Sequence, residues 1–328
     1  MKKLFIQIPC LNESESLPVA LAELPRKIEG IDEVLWLVID DGSNDGTSEV
    51  ALSLGVDYVV RFSQNKGLAS AFSAGIDACL KLGADIIVNT DADNQYDASA
   101  IPKLVKPILD RTADVVVGDR NVSNVDEFSF LKKVLQKFGT RVVSSMSGVP
   151  IADATSGFRA YSRDAALQIN LVSNYTYTLE SLIQAGHAGL SLANIPVKRN
   201  DALRPSRLFK STGAYIRKNA WSLFRLNTQY KPLQLFIPTA FALSLLGFLC
   251  FLPWAVDVAS PPSTPHVQST ILGAILIISS VQVVLFGLLA DAISSVRHLS
   301  VNSLERLRVI ELQLHVAPRL HPGLRDDS

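Results

Sequence analysis

The segment Asp91-Ala92-Asp93-Asn94-Gln95 puts two carboxylates and a neutral amide at alternate positions. Such a pair gives one divalent ion hard oxygen ligands and leaves coordination positions for the oxygens of a diphosphate. Magnesium or manganese held this way would act as a Lewis acid and template while charge builds on a leaving diphosphate. Asp91, Asp93 and Gln95 are therefore candidate metal ligands. Alone, an Asp-x-Asp pair also serves as a solvated turn or a helix cap, so its neighbours decide its weight. A second acidic stretch, Asp40-Asp41-Gly42-Ser43-Asn44-Asp45-Gly46-Thr47, has carboxylates that can accept hydrogen bonds from a ribose or base, and glycines that let backbone approach a nucleotide. It reads equally as a tight turn in which Asp45 or Thr47 caps the next helix. Pro9-Cys10-Leu11-Asn12-Glu13 is either the start of a helix or one wall of a nucleotide site.

These segments need a frame that gathers them, and the apolar pattern supplies one. Short runs rich in Val and Ile, at Leu4–Ile8, Val34–Ile39, Tyr58–Arg61, Asp85–Asn89 and Val115–Val117, alternate with helical patterns up to about Asn200. This is the form of an α/β domain with a mainly parallel, Rossmann-like sheet. In such sheets ligands bind beyond the carboxyl ends of the strands. Three of the runs lead into Asn12-Glu13, Asp40-Asp41 and Asp91-Ala92-Asp93, so three acidic strand exits can share one crevice.

Beyond residue 200 the composition changes. A basic juxtamembrane segment, 204–231, precedes two uncharged apolar runs, Leu233–Val256 and Ser269–Ala290. Each is long enough, at about 1.5 Å per residue, to cross a ~30 Å hydrocarbon layer. The linker Asp257–His266 has three prolines and no Lys or Arg. Arg217, Lys218, Arg225 and Lys231 flank the pair on one side, and Arg297, Arg306 and Arg308 on the other. The positive-inside rule then places the catalytic domain and both termini in the cytoplasm, at the cytoplasmic membrane of a prokaryote. Lys210–Tyr230 mixes aromatics with cations as an amphipathic interfacial helix does, or is a plain connector; Ser303–Leu314 reads as a further helix on the same surface, and Pro318–Ser328 as unstructured. The expected division is 1–203 catalytic, 204–231 juxtamembrane, 232–291 hairpin and 292–328 cytoplasmic tail.

Composition excludes some functions. Lys plus Arg and Asp plus Glu both number 31, so no overall basic surface points to nucleic acid. The cysteines, Cys10, Cys79 and Cys250, lie far apart without metal-site or disulfide spacing. Neither apolar run carries an ionisable residue to line a transport path.

Five segments in order, Ile8-Pro9-Cys10-Leu11-Asn12-Glu13, Asp40-Asp41-Gly42-Ser43, Asn65-Lys66-Gly67-Leu68-Ala69, Asp91-Ala92-Asp93-Asn94-Gln95 and Asp153-Ala154-Thr155-Ser156-Gly157-Phe158-Arg159, resemble the family 2 glycosyltransferases of GT-A fold. The resemblance covers about residues 1–200. Within the family the chain is similar to the polyprenyl-phosphate sugar transferases, the group of dolichyl-phosphate mannose synthase. The Gln-x-x-Arg-Trp segment of the processive synthases is absent.

The resemblance implies that Asp91, Asp93 and Gln95 hold the metal, while Pro9, Asn12, Glu13, Asp41 and Lys66 bind the donor. It also implies an acceptor-phosphate pocket of Arg120, Arg141 and Ser145, with Arg141 and Ser145 spaced for one helix face. Arg204 and Arg207 can close over both phosphates or touch lipid headgroups, although the family's usual glycine-serine-lysine segment differs here. Without the family, Arg141 reads equally as a solvated helix charge. The expected reaction is inverting, single-sugar transfer from a UDP- or GDP-linked donor to a polyprenyl phosphate, by a protein that can also self-associate. An alcohol acceptor would instead need a carboxylate base, with Glu180 or Asp153 first in line. The rival readings are a glycolipid-hydroxyl transferase, a nucleotidyltransferase and a non-catalytic membrane scaffold.

Overall fold

The computed structural model describes residues 1–120, 130–171, 177–200, 221, 224–225, 228–259 and 266–321. The chain forms two compact units, residues 1–219 with 301–328, and residues 220–300.

The first unit is built on a seven-stranded sheet of order β3-β2-β1-β4-β6-β5-β7. Its strands are β1 (Lys3–Cys10), β2 (Glu33–Asp40), β3 (Tyr58–Arg61), β4 (Ile86–Asn89), β5 (Val115–Asp119), β6 (Arg159–Ser162) and β7 (Leu192–Pro196). β6 runs antiparallel to β4 and β5, and every other pairing is parallel. Five strands coincide with the apolar runs of the sequence. β6 and β7 do not, because Arg-Ala-Tyr-Ser and Leu-Ala-Asn-Ile-Pro contain no sustained Val/Ile stretch to mark them.

Covered on both faces, the central strands have no polar side to show. Leu4, Ile6 and Ile8 point into one core layer, while Phe5 and Gln7 on the opposite face are also fully buried. The first layer closes with α1 (Leu17–Glu23), α2 (Thr47–Ser53) and α4 (Ile101–Leu109), through residues such as Leu21, Ala51, Leu104 and Val105. Each Leu or Val side chain among them contributes about 1.5–3 kcal/mol on burial. α3 (Leu68–Lys81) covers β1 and β2 with Phe72, Ile76 and Cys79, and a Cβ at Gly75 would come within 2.8 Å of Ile39. Among the described residues, α5 (Phe130–Ser147), α6 (Arg163–Gln168) and α7 (Tyr177–His187) are the further helices of this unit before the chain enters the second.

β1 stands at the reversal point of the sheet: β2 and β3 lie to one side of it, and the chain then crosses to β4 on the other. The carboxyl ends of β1 and β4 therefore border the crevice in which this topology binds ligands.

The second unit is made chiefly of two long helices, α8 (Pro232–Ala259) and α9 (Val267–Gln313), with α9 continuing past residue 300 into the first unit. They pack antiparallel through glycine: a Cβ at Gly247 would lie 2.8 Å from Ile277, one at Gly273 2.9 Å from the Gly247 carbonyl, and one at Gly287 2.7 Å from Phe236. Ser294 donates to the Gln229 carbonyl at 2.9 Å at one end of the pair. The other faces are apolar and exposed, with Phe241 69%, Phe286 60% and Leu289 59% accessible. Both helices are long and apolar enough to cross a bilayer. Side chains that would be buried in a soluble protein face outward, which suits a hydrocarbon solvent.

The expected separate helix at Ser303–Leu314 is instead the unbroken end of α9. Residues 318–321, expected to be unstructured, include an ordered contact, in which the His321 amide donates to the Val59 carbonyl of β3 at 2.8 Å. A helix that keeps its i→i−4 bonds through a composition change leaves no boundary signal in the sequence.

Candidate functional site

Two strand exits are stitched together first. Asn12, in the left-handed conformation at φ 54°, donates its amide to Ser43 Oγ at 2.9 Å and accepts from the Asn44 amide at 3.0 Å. The Glu13 amide donates to Thr47 Oγ1 and the Ser14 amide to Asp45 Oδ2, both at 3.0 Å. Asp45 also accepts from the Thr47 amide at 3.1 Å, at the first residue of α2, while Gly46 occupies the cap position. Burial alone would raise the Asp45 carboxyl, but the bonds from Thr47 and Ser14 prevail and bring it to about 2.

The neighbours Asp40 and Asp41 face different partners. Asp40 is fully buried, accepts from the Ser43 amide at 2.7 Å and from Ser48 Oγ, and lies 3.7 Å from Arg61. Asp41 accepts the Lys66 amide at 2.7 Å and the Gly67 amide at 2.9 Å, which draws the 64–67 loop over the exit of β2. Gly42 is required there: its φ is 79°, and a Cβ would stand 2.6–2.7 Å from the backbone of Gln64 and Asn65.

Asp91 and Asp93 follow β4. Burial pushes the Asp91 carboxyl well above the usual carboxylate range, the Asp93 charge adds to the shift, and Arg120 opposes it. Uncompensated negative charge at a partly closed position is what a divalent cation relieves. The Gln95 amide nitrogen sits 2.5 Å from Asp93 Oδ2, and a half-turn of the amide presents its oxygen instead. Among the described residues no group of three or more His, Cys, Asp or Glu forms a self-sufficient metal cage. The pair thus fits an ion whose shell is completed by substrate diphosphate and water, as magnesium and manganese allow.

The support beneath Asp91 escaped the sequence reading. The Asn89 side chain donates to the Gly157 carbonyl at 2.8 Å and to Tyr177 Oη at 3.3 Å, and accepts from Gln7 at 2.9 Å. Gly157 donates to Tyr96 Oη at 3.0 Å, and a Cβ on it would lie 2.6 Å from Tyr177 Oη and 3.2 Å from each Asp91 carboxylate oxygen. On the far side Asn94, at φ 54°, donates to Glu23 at 3.0 Å, and the Asn200 amide donates to the Gln95 carbonyl at 3.0 Å. The backbone around the acidic pair is therefore held from α1, the 153–159 loop and the segment after β7. A polar residue inside an apolar run, such as Asn89 or Gln7, was the available signal.

Arg120, at the end of β5, makes a two-point bond to Asp153, Nε to Oδ2 at 2.6 Å and Nη2 to Oδ1 at 3.0 Å, and Nη2 also reaches Thr155 Oγ1 at 2.7 Å. Burial would raise the Asp153 carboxyl, but Arg120 overrides it and holds it below the usual range. Glu180 is fully buried on α7, where Gln184 donates to it at 3.4 Å. Arg159, also fully buried, donates to the carbonyls of Thr178 and Ala154 and to Ser181 Oγ at 2.7–2.9 Å, tying the 153–159 loop to α7.

Arg141 and Ser145 are both exposed on α5, one turn apart. Pro9 is buried at the end of β1, with Asn12 and Glu13 half-exposed beyond it. Arg204 and Arg207 lie outside the described residues.

The five-segment order, the reversal-point crevice and the paired aspartates have a counterpart among known proteins. Residues 5–169 match glycosyl transferase family 2. The chain belongs to this family. Residues 231–296 of the transferase also match the GtrB C-terminal hairpin, so both halves have relatives. Over 200 residues it is 30% identical to an undecaprenyl-phosphate mannosyltransferase of Micrococcus luteus, covering 58% of this chain and 80% of that one. It is 29% identical to a polyprenol monophosphomannose synthase of Mycolicibacterium smegmatis, covering 66% and 84%. Its fold is similar to glucosyl-3-phosphoglycerate synthase of Mycobacterium tuberculosis, solved with Mn2+ and uridine diphosphate, at a TM-score of 0.52 and 19% identity over 68% of this chain and 80% of that one. The transferase thus has the GT-A architecture expected from its sequence, followed by two apolar helices of a membrane-associated hairpin.

Proposed function

We propose that the transferase moves one sugar from a UDP- or GDP-linked donor to a polyprenyl phosphate at the cytoplasmic face of the membrane, with inversion and without processive elongation. The observation that carries this reading is the condition of Asp153 and Glu180. Both oxygens of Asp153 are held by Arg120, and Glu180 is sealed in the core. A hydroxyl acceptor needs a base to take its proton, and neither carboxylate is placed to serve. A phosphate acceptor is already anionic near neutral pH and needs none. The relatives named for undecaprenyl phosphate and polyprenol, and the exposed apolar helices on the same chain, support the same choice.

In this reading Pro9, Asn12, Glu13, Asp41 and Lys66 bind the nucleotide. Asp91, Asp93 and Gln95 would hold a magnesium or manganese ion, which supplies charge neutralisation at the leaving diphosphate. Arg120, fixed in orientation by Asp153, would grip the acceptor phosphate with Arg141 and Ser145, and Arg204 and Arg207 would close from the following segment. An acceptor phosphate oxygen attacks the anomeric carbon from the face opposite the diphosphate. The bond from that carbon to the diphosphate oxygen breaks, and its electron pair departs with the nucleoside diphosphate. Positioning of this kind supplies as much as ~7–11 kcal/mol without a base.

The test offers a panel of labelled nucleotide-sugars to the purified protein in vesicles containing either polyprenyl phosphate or a glycolipid with a free hydroxyl. One donor labelling only the phosphate acceptor is the expected result. Label passing to the hydroxyl acceptor alone would sink the proposal.

A further inference from the structure

The end of α9 does not trail away from the catalytic unit. Arg308 Nη1 donates to the carbonyls of Leu167 at 3.1 Å and Ile169 at 2.8 Å, where α6 ends and carbonyls lack helical partners. Glu311, one turn on, lies 3.1 Å from Lys81 Nζ on α3, and Lys81 also holds Asp77 at 3.0 Å. The helix ends at Gln313, His315 turns the chain in the left-handed conformation at φ 51°, and the following residues reach β3, where the His321 amide bonds to the Val59 carbonyl on the edge of the sheet. Between this segment and α3 lies a cavity of about 490 Å³ whose walls include Phe62, Ala78 and Val316. The contacts fall on three separate elements, α6, α3 and β3.

We propose that residues 301–321 are a strap giving the catalytic unit a second chain attachment to the apolar pair, through the end of α9, with Arg308 as its positioning residue for transfer to a membrane-held acceptor. The chain leaves the catalytic unit at residue 219 and rejoins it at residue 301, so the strap closes a loop that a single linker would leave open. A second attachment shrinks the volume the crevice explores and raises its effective concentration at the bilayer surface. The strap lies outside the crevice residues, so a soluble acceptor gains nothing from it. The role rests on the polyprenyl-phosphate reading above.

The full-length transferase, reconstituted in phosphatidylglycerol and phosphatidylcholine vesicles, is compared with Arg308→Met, Lys81→Glu and the charge-exchanged Lys81→Glu/Glu311→Lys. Each is given a long polyprenyl phosphate in the vesicle and, separately, a short water-soluble prenyl phosphate. Arg308→Met and Lys81→Glu should lose about tenfold in transfer to the vesicle acceptor, the scale of a lost tether, while transfer to the soluble acceptor stays within about twofold. The charge exchange should restore the vesicle rate. Equal losses on both acceptors, or no loss on either, overturn the strap. Wild-type protein inert with both phosphates overturns the acceptor reading instead, and the strap's proposed role with it.

Discussion

Asp40 and Asp41 are adjacent in sequence, yet one organises its own turn and the other a loop 25 residues away. Asp40 is the last residue of β2, whereas Asp41 already belongs to the turn beyond it. Asp45 offers a test of the turn in solution. Its folded carboxyl titrates near 2, below the ~3.9 of an unfolded aspartate. A depressed folded value means the stabilisation is full above about pH 4 and fades as pH falls toward 2. Thermal unfolding of wild type and Asp45→Asn should therefore differ most at neutral pH and converge between about pH 4 and pH 2. A constant gap across that range would refute the assignment. Asp93→Ala should leave the fold and vesicle insertion intact while lowering turnover by about 10²-fold or more, as loss of a transition-state charge stabiliser does. Near-normal turnover with an unchanged circular dichroism spectrum would remove Asp93 from the site.

At the scale of elements, the sequence marked what was apolar and continuous. β1 to β5 stood out because strands buried on both faces must be Val- and Ile-rich. β6 was hidden because it has no Val or Ile and begins with the buried Arg159, whose charge suggests surface until its carbonyl partners on α7 and the 153–159 loop are seen. The acidic pair, the tandem aspartates and Asn12-Glu13 were legible as strand exits. Their props Tyr177, Gly157 and Glu23 were not, because each acts across the fold from a distant part of the chain, and Asn89 showed only as a polar residue inside an apolar run. The glycine seam between α8 and α9 gives a second test. Gly273→Leu would force a side chain into the Gly247 carbonyl and Phe251, and overpacking of this kind costs about 1–3 kcal/mol. The variant should resist heat in detergent less well than wild type, whereas Leu289→Ala on an exposed face should not; equal melting points for all three proteins would dismiss the seam.

For the whole molecule, the distribution of cations predicts an orientation. Lys231 and Arg225 precede the pair and Arg297 and Arg306 follow the second apolar run, while residues 257–266 between the helices contain no Lys or Arg. The positive-inside rule then predicts that protease added outside intact cells cuts an engineered site in the 257–266 linker and spares the catalytic unit. Protection of the linker together with cleavage of the catalytic unit would invert the topology.

The sequence by itself determined the family, the mainly parallel sheet, the acidic exits and the two spanning-length helices. These depend on local periodicity, composition and short motifs, all written in consecutive residues. Only the tertiary structure decided that Arg120 holds both oxygens of Asp153, that Glu180 is fully buried, and that residues 301–321 return to α3, α6 and β3. Those facts rest on groups that meet across 33 to 262 residues of chain, such as the side chains of Arg120 and Asp153 and the backbones of Val59 and His321. Burial and charge pairing over such separations are properties of the folded arrangement, and no window of sequence carries them.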